Sequence, residues 1–238
     1  MPTARRQRTL MVNPTPRLIA WYDAGTLALA DTNAVPAWED TTRLSTGVAQ
    51  GTGANQPLYK HNGTDDINGL PVVEFDGTND VLSTAIPFNL GNAFTIFMVA
   101  RSDTSLNGRG YFTLKNATSR GICLQLNGTG FLYYENGATI YNAFNAGYIS
   151  NSTPFLLTLV KKGAVVKTYT NGVLRRTDIG QPEIGSAGGA TFFIGAGANG
   201  TSEYMTKHIA ELRFYHGAMS DAQRQSEELK LNTKYALF

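Results

Sequence analysis

Two carboxylates lie one residue apart in the segment Glu74-Phe75-Asp76. In a β-strand the side chains of such a pair point to the same face of the sheet. Two carboxyl groups on one face, about 5–5.5 Å apart, can act as nucleophile and acid/base in the hydrolysis of a glycosidic bond. This segment is therefore the main candidate for catalytic chemistry in the chain.

The sequence contains no other recognisable catalytic motif. His61, His208 and His216 are far apart along the chain, and none belongs to a pattern with zinc-ligand spacing. The sequence also lacks a Gly-x-Ser-x-Gly nucleophile elbow and a phosphate-binding loop. The single cysteine, Cys123, cannot form an intramolecular disulfide. Apart from Glu74 and Asp76, the sequence therefore offers no support for nucleophilic, metal-dependent or nucleotide-dependent reactions.

Composition and charge exclude two further classes of function. The chain has 238 residues, of which 42% are hydrophobic and 16% charged. Its net charge is +2, but residues 1–16 carry +3 and no acid, which leaves −1 for the rest. Since nucleic-acid binding depends on clustered cations, we expect no nucleic-acid partner. No apolar run approaches the ~20 residues of a membrane span, and no signal peptide is evident, so we expect no membrane insertion.

Residues 1–16 are predicted to form an extended basic arm, and residues 17–238 a single domain. Pro14 and Pro16 favour an extended backbone at the end of the arm. The arm is either a frayed tail or a segment that docks on a neighbouring subunit or an anionic surface. In the second case its assembly residues are three cations and an apolar anchor, namely Arg5, Arg6, Arg8, Leu10, Met11 and Val12.

The spacing of apolar runs and turns predicts an all-β domain with one helix. Asn171-Gly172, between two alternating segments, is a strong signal for a β-hairpin. Phe94–Arg101 is apolar at nearly every position, which is typical of a central strand covered on both faces. Ser220 and Gln223 form a capping box that opens a short helix over Asp221–Lys234. Roughly a dozen strands at hairpin spacing are expected in total.

From Leu18 to Leu237 the chain resembles the concanavalin A-like lectin/glucanase (laminin G-like) domains. The segments that carry the resemblance are Ala20-Trp21-Tyr22-Asp23, Trp38-Glu39-Asp40, Gly69–Gly77, Phe94–Arg101, Tyr169-Thr170-Asn171-Gly172 and the C-terminal strand and helix. The resemblance implies a jelly roll, that is, a two-sheet antiparallel β-sandwich with one short C-terminal helix. A single such domain with an arm and no signal peptide is most similar to bacteriophage virion proteins.

The same resemblance argues against hydrolysis. Glucanases of this fold carry Glu-x-Asp-x-(x)-Glu on one strand, whereas Thr78 and Asn79 stand here where the second glutamate would be. We therefore expect a protein without enzymatic activity. In this interpretation Asp76 caps the turn that follows the strand, and Glu74 is a solvated strand residue.

Two acidic loops are candidates for calcium. Related laminin G-like domains bind calcium at loop rims, and calcium takes six to eight oxygen ligands. The alternative is that these residues serve turns without a metal. The candidate ligands are Asp65, Asp66, Asp76, Asn79 and Asp80.

A second candidate site could bind glycans. Sugar binding needs aromatic faces for stacking and planar polar groups for the hydroxyls. The sequence offers both in neighbouring strands, although these aromatics could equally be ordinary core and edge residues. The candidates are Tyr133, Tyr134, Glu135, Asn136, Tyr141 and Asn142.

The sequence thus leads to three ranked hypotheses of function. The first is a non-enzymatic phage structural or decoration protein on the virion surface, assembled in the host cytoplasm, with other capsid or tail subunits and further copies of itself as partners. The second is a carbohydrate-binding adhesion module for a cell-surface or free polysaccharide. The third is an inactive or unrecognised relative of the glycoside hydrolases. None of the three requires a cofactor other than possible calcium.

Overall fold

The structure is a computed structural model that describes residues 15–85, 88–102, 109–115, 120–127, 130–132, 134–136, 139–141, 149–180, 191–197 and 200–238. The six predicted assembly residues of the arm lie outside these ranges, namely Arg5, Arg6, Arg8, Leu10, Met11 and Val12. The predicted division into arm and domain therefore stays a prediction.

The described residues form seventeen β-strands and one α-helix, with 3-10 turns at Ala24–Thr26 and Gly53–Asn55. The elements are β1 (Arg17–Asp23), β2 (Ala37–Trp38), β3 (Val48–Ala49), β4 (Leu58–Lys60), β5 (Val72–Asp76), β6 (Leu82–Ala85), β7 (Ala93–Ser102), β8 (Arg109–Lys115), β9 (Arg120–Asn127), β10 (Gly130–Leu132), β11 (Tyr134–Asn136), β12 (Thr139–Tyr141), β13 (Phe155–Lys162), β14 (Val165–Thr170), β15 (Val173–Asp178), β16 (Thr191–Ile194), β17 (Thr206–His216) and α1 (Asp221–Tyr235).

The strands form two antiparallel sheets. Sheet A has the order β15-β14-β13-β7-β17-β5-β4, with β1 paired to the second half of β17. Sheet B has the order β12-β11-β9-β8-β16-β6-β3-β2, with β10 paired to β9. The predicted fold class, an all-β two-sheet sandwich with one C-terminal helix, is confirmed.

The core between the sheets is rich in aromatic rings. Phe192 of sheet B and Phe214 of sheet A pack edge to face, with ring centroids 5.5 Å apart and planes at 88°. Trp38 and Tyr22 form a second edge-to-face pair at 6.0 Å. Such pairs contribute about 0.5–1.5 kcal/mol beyond the burial of their area. The core therefore holds the two sheets in a fixed relative position.

Helix α1 packs on the outer face of sheet A. Leu231 and Tyr235 are buried against a second apolar cluster that includes Phe97 and Leu156. The predicted capping box is confirmed, since Ser220 Oγ accepts from the Gln223 N–H and Gln223 Oε1 accepts from the Ser220 N–H. Only two of the four buried residues of α1 are apolar, and the other two, Arg224 and Glu228, are charged.

Buried ion pairs supply the rest of the contact between α1 and the sheet. Glu211 of β17 is 1% exposed, and its carboxylate accepts from Tyr235 Oη at 2.8 Å and Lys234 Nζ at 2.9 Å. The same carboxylate also accepts from Trp21 Nε1 at 2.7 Å and Arg213 Nε at 2.6 Å. All four donors come from elements that meet at this point, so Glu211 joins β1, β17 and α1.

The polar loop between β2 and β4 is ordered by one carboxylate. Asp40 accepts from the backbone N–H groups of Trp21, Thr42 and Ser45, at 2.7, 3.1 and 2.8 Å. Burial acts to raise the pKa of Asp40, but the hydrogen bond from Thr42 Oγ1 and these backbone bonds outweigh burial and lower the pKa. Residues 41–56 therefore contain a fixed turn, the short strand β3 and the 3-10 turn Gly53–Asn55.

Candidate functional site

The carboxylate of Glu74 lies on the outer face of sheet A, in contact with His208 and Lys60. Glu74 Oε1 is 3.2 Å from His208 Nε2, and Glu74 Oε2 is 3.3 Å from Lys60 Nζ. The expectation that Glu74 is a solvated strand residue is wrong, because this side chain is half-buried and ion-paired. The hydrogen bond from His208 lowers the pKa of Glu74, and Lys60 acts in the same direction against burial. A lowered pKa suits an ion pair and not a general acid.

His208 and Arg101 complete this group on the neighbouring strands. His208 of β17 is the register partner of both Glu74 on β5 and Arg101 on β7, and it is 2% exposed. Arg101 Nη2 is 3.3 Å from His208 Nδ1. Arg101 Nη1 donates to the backbone carbonyls of Thr64 and Asp66 at 2.6 and 3.0 Å. We call Lys60, Asp65, Glu74, Arg101 and His208 the charged cluster.

Within the charged cluster, three side chains of the described residues bring metal-ligating atoms close to one another. One ligand atom each from Asp65, Glu74 and His208 lies within 4.8 Å of the others. However, Lys60 Nζ is also 3.2 Å from Asp65 Oδ2, so an ammonium group already bridges the two carboxylates. Burial acts to lower the pKa of Lys60, but Asp65 and Glu74 outweigh burial and raise it. The contacts that the structure shows are thus internal ion pairs.

The turn after β5 is built by Asp76 and Asp80. Asp76 Oδ1 accepts from the N–H groups of Thr78 and Asn79 at 2.7 and 3.3 Å, which confirms the predicted turn role of Asp76. Asp80 is buried, and its Oδ2 accepts from the Asp76 N–H at 2.8 Å. Burial raises the pKa of Asp80 to about 6. A carboxyl group that resists ionisation is a poor first ligand for calcium, which favours charged oxygens.

Asp66, another candidate for calcium, also serves a turn. Its Oδ1 accepts from the Gly69 N–H at 3.0 Å, and its backbone carbonyl accepts from Arg101. The structure therefore brings Asp65 to Glu74 and Asp76 to Asp80, and it gives each of these carboxylates a partner from the protein. Calcium binding at Asp65, Asp66, Asp76, Asn79 or Asp80 stays a prediction.

Four of the six predicted glycan-binding residues lie in β11 and β12 at the end of sheet B, namely Tyr134, Glu135, Asn136 and Tyr141. In the β11–β12 hairpin Tyr134 is directly opposite Tyr141, and Asn136 is opposite Thr139. Directly opposite residues of an antiparallel pair lie on the same face of the sheet, so the two tyrosine positions share a face. Glu135 is the register partner of Gly121 on β9. Tyr133 and Asn142 lie outside the described residues.

Sequence reasoning missed the parts of the charged cluster that come from β7 and β17. Arg101 and His208 are separated by 107 residues, and only the strand register brings them together. A local signal existed for Glu74 alone, because it alternates with the apolar Phe75 and Val73. His208 gives no such signal, because it belongs to no pattern with metal-ligand spacing in the sequence.

No helix among the described residues is long and apolar enough to cross a membrane.

Several solved structures share this fold. Domain 4 of an extracellular GH43 arabinanase from Geobacillus stearothermophilus, solved with arabinotriose, has a TM-score of 0.64 at 17% identity and covers 87% of this chain and 96% of its own. The Trypanosoma rangeli sialidase has a TM-score of 0.62 at 9% identity, over 90% of this chain and 33% of the sialidase. The receptor-binding domain of botulinum neurotoxin type G has a TM-score of 0.58 at 13% identity, over 90% of this chain and 51% of that chain.

These identities are low, so the likeness concerns the fold. No curated protein matches the sequence. A family profile, by contrast, matches residues 75–223, which is more than half of the chain. The chain belongs to the concanavalin A-like lectin/glucanases superfamily.

Proposed function

We propose that this protein is a non-enzymatic carbohydrate-binding domain whose binding surface includes the β11–β12 hairpin. The observation that carries the proposal is the register of that hairpin, which sets Tyr134 opposite Tyr141 and Asn136 opposite Thr139. Two aromatic residues and an amide on one face are the residue types that sugars need for stacking and for hydroxyl hydrogen bonds.

Two of the similar structures, together with the contacts of Glu74 and Asp76, support a binding role for this chain. The arabinanase domain was solved with arabinotriose, and the toxin domain is described as receptor-binding. In this chain the carboxylate of Glu74 is engaged by His208 and Lys60, and Asp76 is engaged in its turn. The pKa of Glu74 is lowered by its hydrogen bond from His208 and by Lys60, whereas a general acid needs a raised pKa.

Titration of arabinotriose and other oligosaccharides from a glycan array, followed by calorimetry, tests this proposal. Tyr134→Ala and Tyr141→Ala should each weaken binding about tenfold or more, since loss of an aromatic contact removes both area and specific geometry. Tyr204→Ala is the matched control, because Tyr204 lies after β16, away from the hairpin in sequence, and is only half-buried. Equal affinity of the two hairpin variants and the wild type would overturn the proposed surface.

A virion-surface role is the second candidate, and the composition of the arm favours it. Residues 1–16 combine three arginines, no acid and one apolar run, which is the composition of a segment that attaches to another surface. In this proposal the arm joins the protein to capsid or tail subunits, and the sandwich is presented outward. Deletion of the arm separates the two candidates, because it should abolish attachment to particles and leave glycan binding unchanged.

A further inference from the structure

A groove of about 320 Å³ lies on the outer face of sheet A, beside the first residue of α1. Its floor comes from β13 and β14, where Val160 is opposite Lys167 and Lys162 is opposite Val165. This register places two valines and two lysines alternately on one face. We call this site the lysine groove. It belongs to sheet A, whereas the β11–β12 hairpin belongs to sheet B.

The two lysines of this groove differ from three other described lysines in having no carboxylate partner. Lys60, Lys230 and Lys234 each lie within 4.0 Å of a carboxylate. In the part of the chain that the structure describes, Lys162 and Lys167 form no ion pair at all. Their ammonium groups therefore remain available to an anionic ligand.

The other charged groups at the groove are already engaged. Asp221 Oδ1 accepts from Tyr169 Oη at 3.3 Å and lies 3.6 Å from Arg224 Nε. The first turn of α1 is closed by the capping box of Ser220 and Gln223, so its N–H groups do not determine the charge preference of the groove. The two lysines outweigh the one partly neutralised carboxylate, and the groove favours an anion.

The remaining lining is apolar. Val160 is buried, Val165 and Met219 are half-buried, and Tyr169 forms the inner wall. Such a lining suits the C–H face of a sugar ring better than a fully hydrated ion. A volume of about 320 Å³ is at the small end of the range of ~300–1,000 Å³ for ligand sites, which suits one or two sugar units.

We propose that the lysine groove is a second carbohydrate site, selective for sugars that carry a carboxylate, such as uronic acids. The carboxylate would lie between Lys162 and Lys167, and the ring would cover Val160, Val165 and Met219. The choice of a sugar as the ligand rests on the proposed function, whereas the choice of an anion rests on the two lysines alone.

The test uses trigalacturonic acid and its methyl ester, which has the same ring skeleton without the charge. Nuclear magnetic resonance titration of the full chain should show amide shifts at Lys167, Tyr169 and Met219 with the acid. Binding of the acid should weaken as salt rises. The double variant Lys162→Gln/Lys167→Gln should bind about tenfold more weakly, since two exposed ion pairs are lost. Lys230→Gln, which removes the same charge elsewhere, should bind as the wild type does.

Other outcomes overturn the proposal. Equal binding of the ester and the acid, or equal loss in Lys230→Gln, would show that the two lysines do not select a carboxylate. Binding of an oligoglutamate peptide without binding of the uronate would make the groove a site for acidic protein. Thermal unfolding of each variant shows whether a loss of binding comes from a loss of folding. If Lys162→Gln/Lys167→Gln does not fold, Lys162→Arg/Lys167→Arg, which keeps both charges, should bind the acid as the wild type does.

The two carbohydrate sites can fail separately. Tyr134→Ala/Tyr141→Ala should keep uronate binding if the lysine groove is the acidic site. If that variant loses the uronate while the lysine variant keeps it, the lysine groove is wrong and the proposed function stands. If neither neutral nor acidic oligosaccharides bind the wild type, the proposed function itself fails.

Discussion

Glu74 Oε1 on β5 lies 3.2 Å from His208 Nε2 on β17, on the outer face of sheet A. Because the histidine is almost fully buried and Arg101 lies on its other side, Glu74 is the acidic group that balances two basic ones. Arg101 in turn holds two carbonyls of the loop before β5. The carboxylate that could have been catalytic therefore connects β5, β17, β7 and a loop.

Glu74→Gln should lower the free energy of unfolding at pH 7 by about 1 kcal/mol, because it removes one half-buried charge-assisted contact. The pKa of Glu74 is lowered in the folded state, so its stabilising effect is present above the unfolded pKa and is lost as pH falls through the folded pKa. The difference between variant and wild type should therefore vanish in strong acid. Urea unfolding at several pH values measures it.

Glu39→Gln is the control for this change, since Glu39 is exposed and should affect stability by less than about 0.5 kcal/mol. The wild type should release no reducing sugar from arabinan or β-glucan. Release that is abolished in Glu74→Gln would contradict the non-enzymatic interpretation.

The features of the fold that rest on local signals could be predicted from the sequence. Asn171 and Gly172 have φ values of 49° and 74°, as a two-residue hairpin turn requires. β7 lies between β13 and β17 with both faces covered, as the apolar run Phe94–Arg101 indicated. Each of these signals is contained within a few residues and needs no knowledge of the partner strand.

Features that depend on distant pairing could not be predicted in the same way. The helix is an example, since its apolar residues Ala222, Leu229, Leu231 and Tyr235 predict a contact face made by all four. Leu231 and Tyr235 are buried, but Ala222 is exposed and Leu229 is 65% exposed. Part of the buried face is ionic instead: Arg224 pairs with Glu228, and Glu228 Oε1 accepts from Thr158 Oγ1 at 2.8 Å. An apolar pattern gives no sign of such a face.

Asp80→Asn should change the pH dependence of stability. Burial raises the pKa of Asp80 from 3.8 to about 6, so the folded state binds more protons than the unfolded state between these values. Stability from this group is therefore present at low pH and is lost as pH rises from about 4 to about 6. Asparagine does not ionise, and it keeps an oxygen that can accept from the Asp76 N–H.

At pH 7.5 we expect Asp80→Asn to be more stable than the wild type by about 3 kcal/mol, because the pKa of Asp80 rises from 3.8 to about 6 and each pKa unit corresponds to ~1.4 kcal/mol. At pH 3.5 the two proteins should be nearly equal. Melting curves across this range measure the difference. A difference that does not depend on pH would show that Asp80 ionises normally in the folded protein.

Glu211→Ala should be the most destabilising of these substitutions. It removes the Glu211 acceptor from four donors. Two of them are cations, which keep Asp23 and Glu227 as their other partners, and breaking a buried ion pair costs about 3–5 kcal/mol. The loss should appear first in α1, because Lys234 and Tyr235 both bond to Glu211. Hydrogen exchange should show faster exchange of α1 amides than of β7 amides. Equally accelerated hydrogen exchange in α1 and β7 would contradict a role of Glu211 in helix docking. Glu39→Ala serves as the control.

Residues 1–16 should be required for attachment of the protein to a virion. A variant that begins at Arg17 should fold with the same melting temperature as the full chain, because Arg17 already pairs with His216 at the start of β1. The same variant should no longer co-sediment with virions. Replacing Arg5, Arg6 and Arg8 by Ser should weaken attachment in a salt-dependent way.

Replacing Leu10, Met11 and Val12 by Ser should weaken attachment more, since buried apolar area contributes more than exposed ion pairs. Light scattering on the full chain and on the variant that begins at Arg17 separates attachment from self-association, because an arm that docks on a second copy would change the mass of the free protein. Attachment of the shortened variant at the level of the full chain would show that the arm is only a tail.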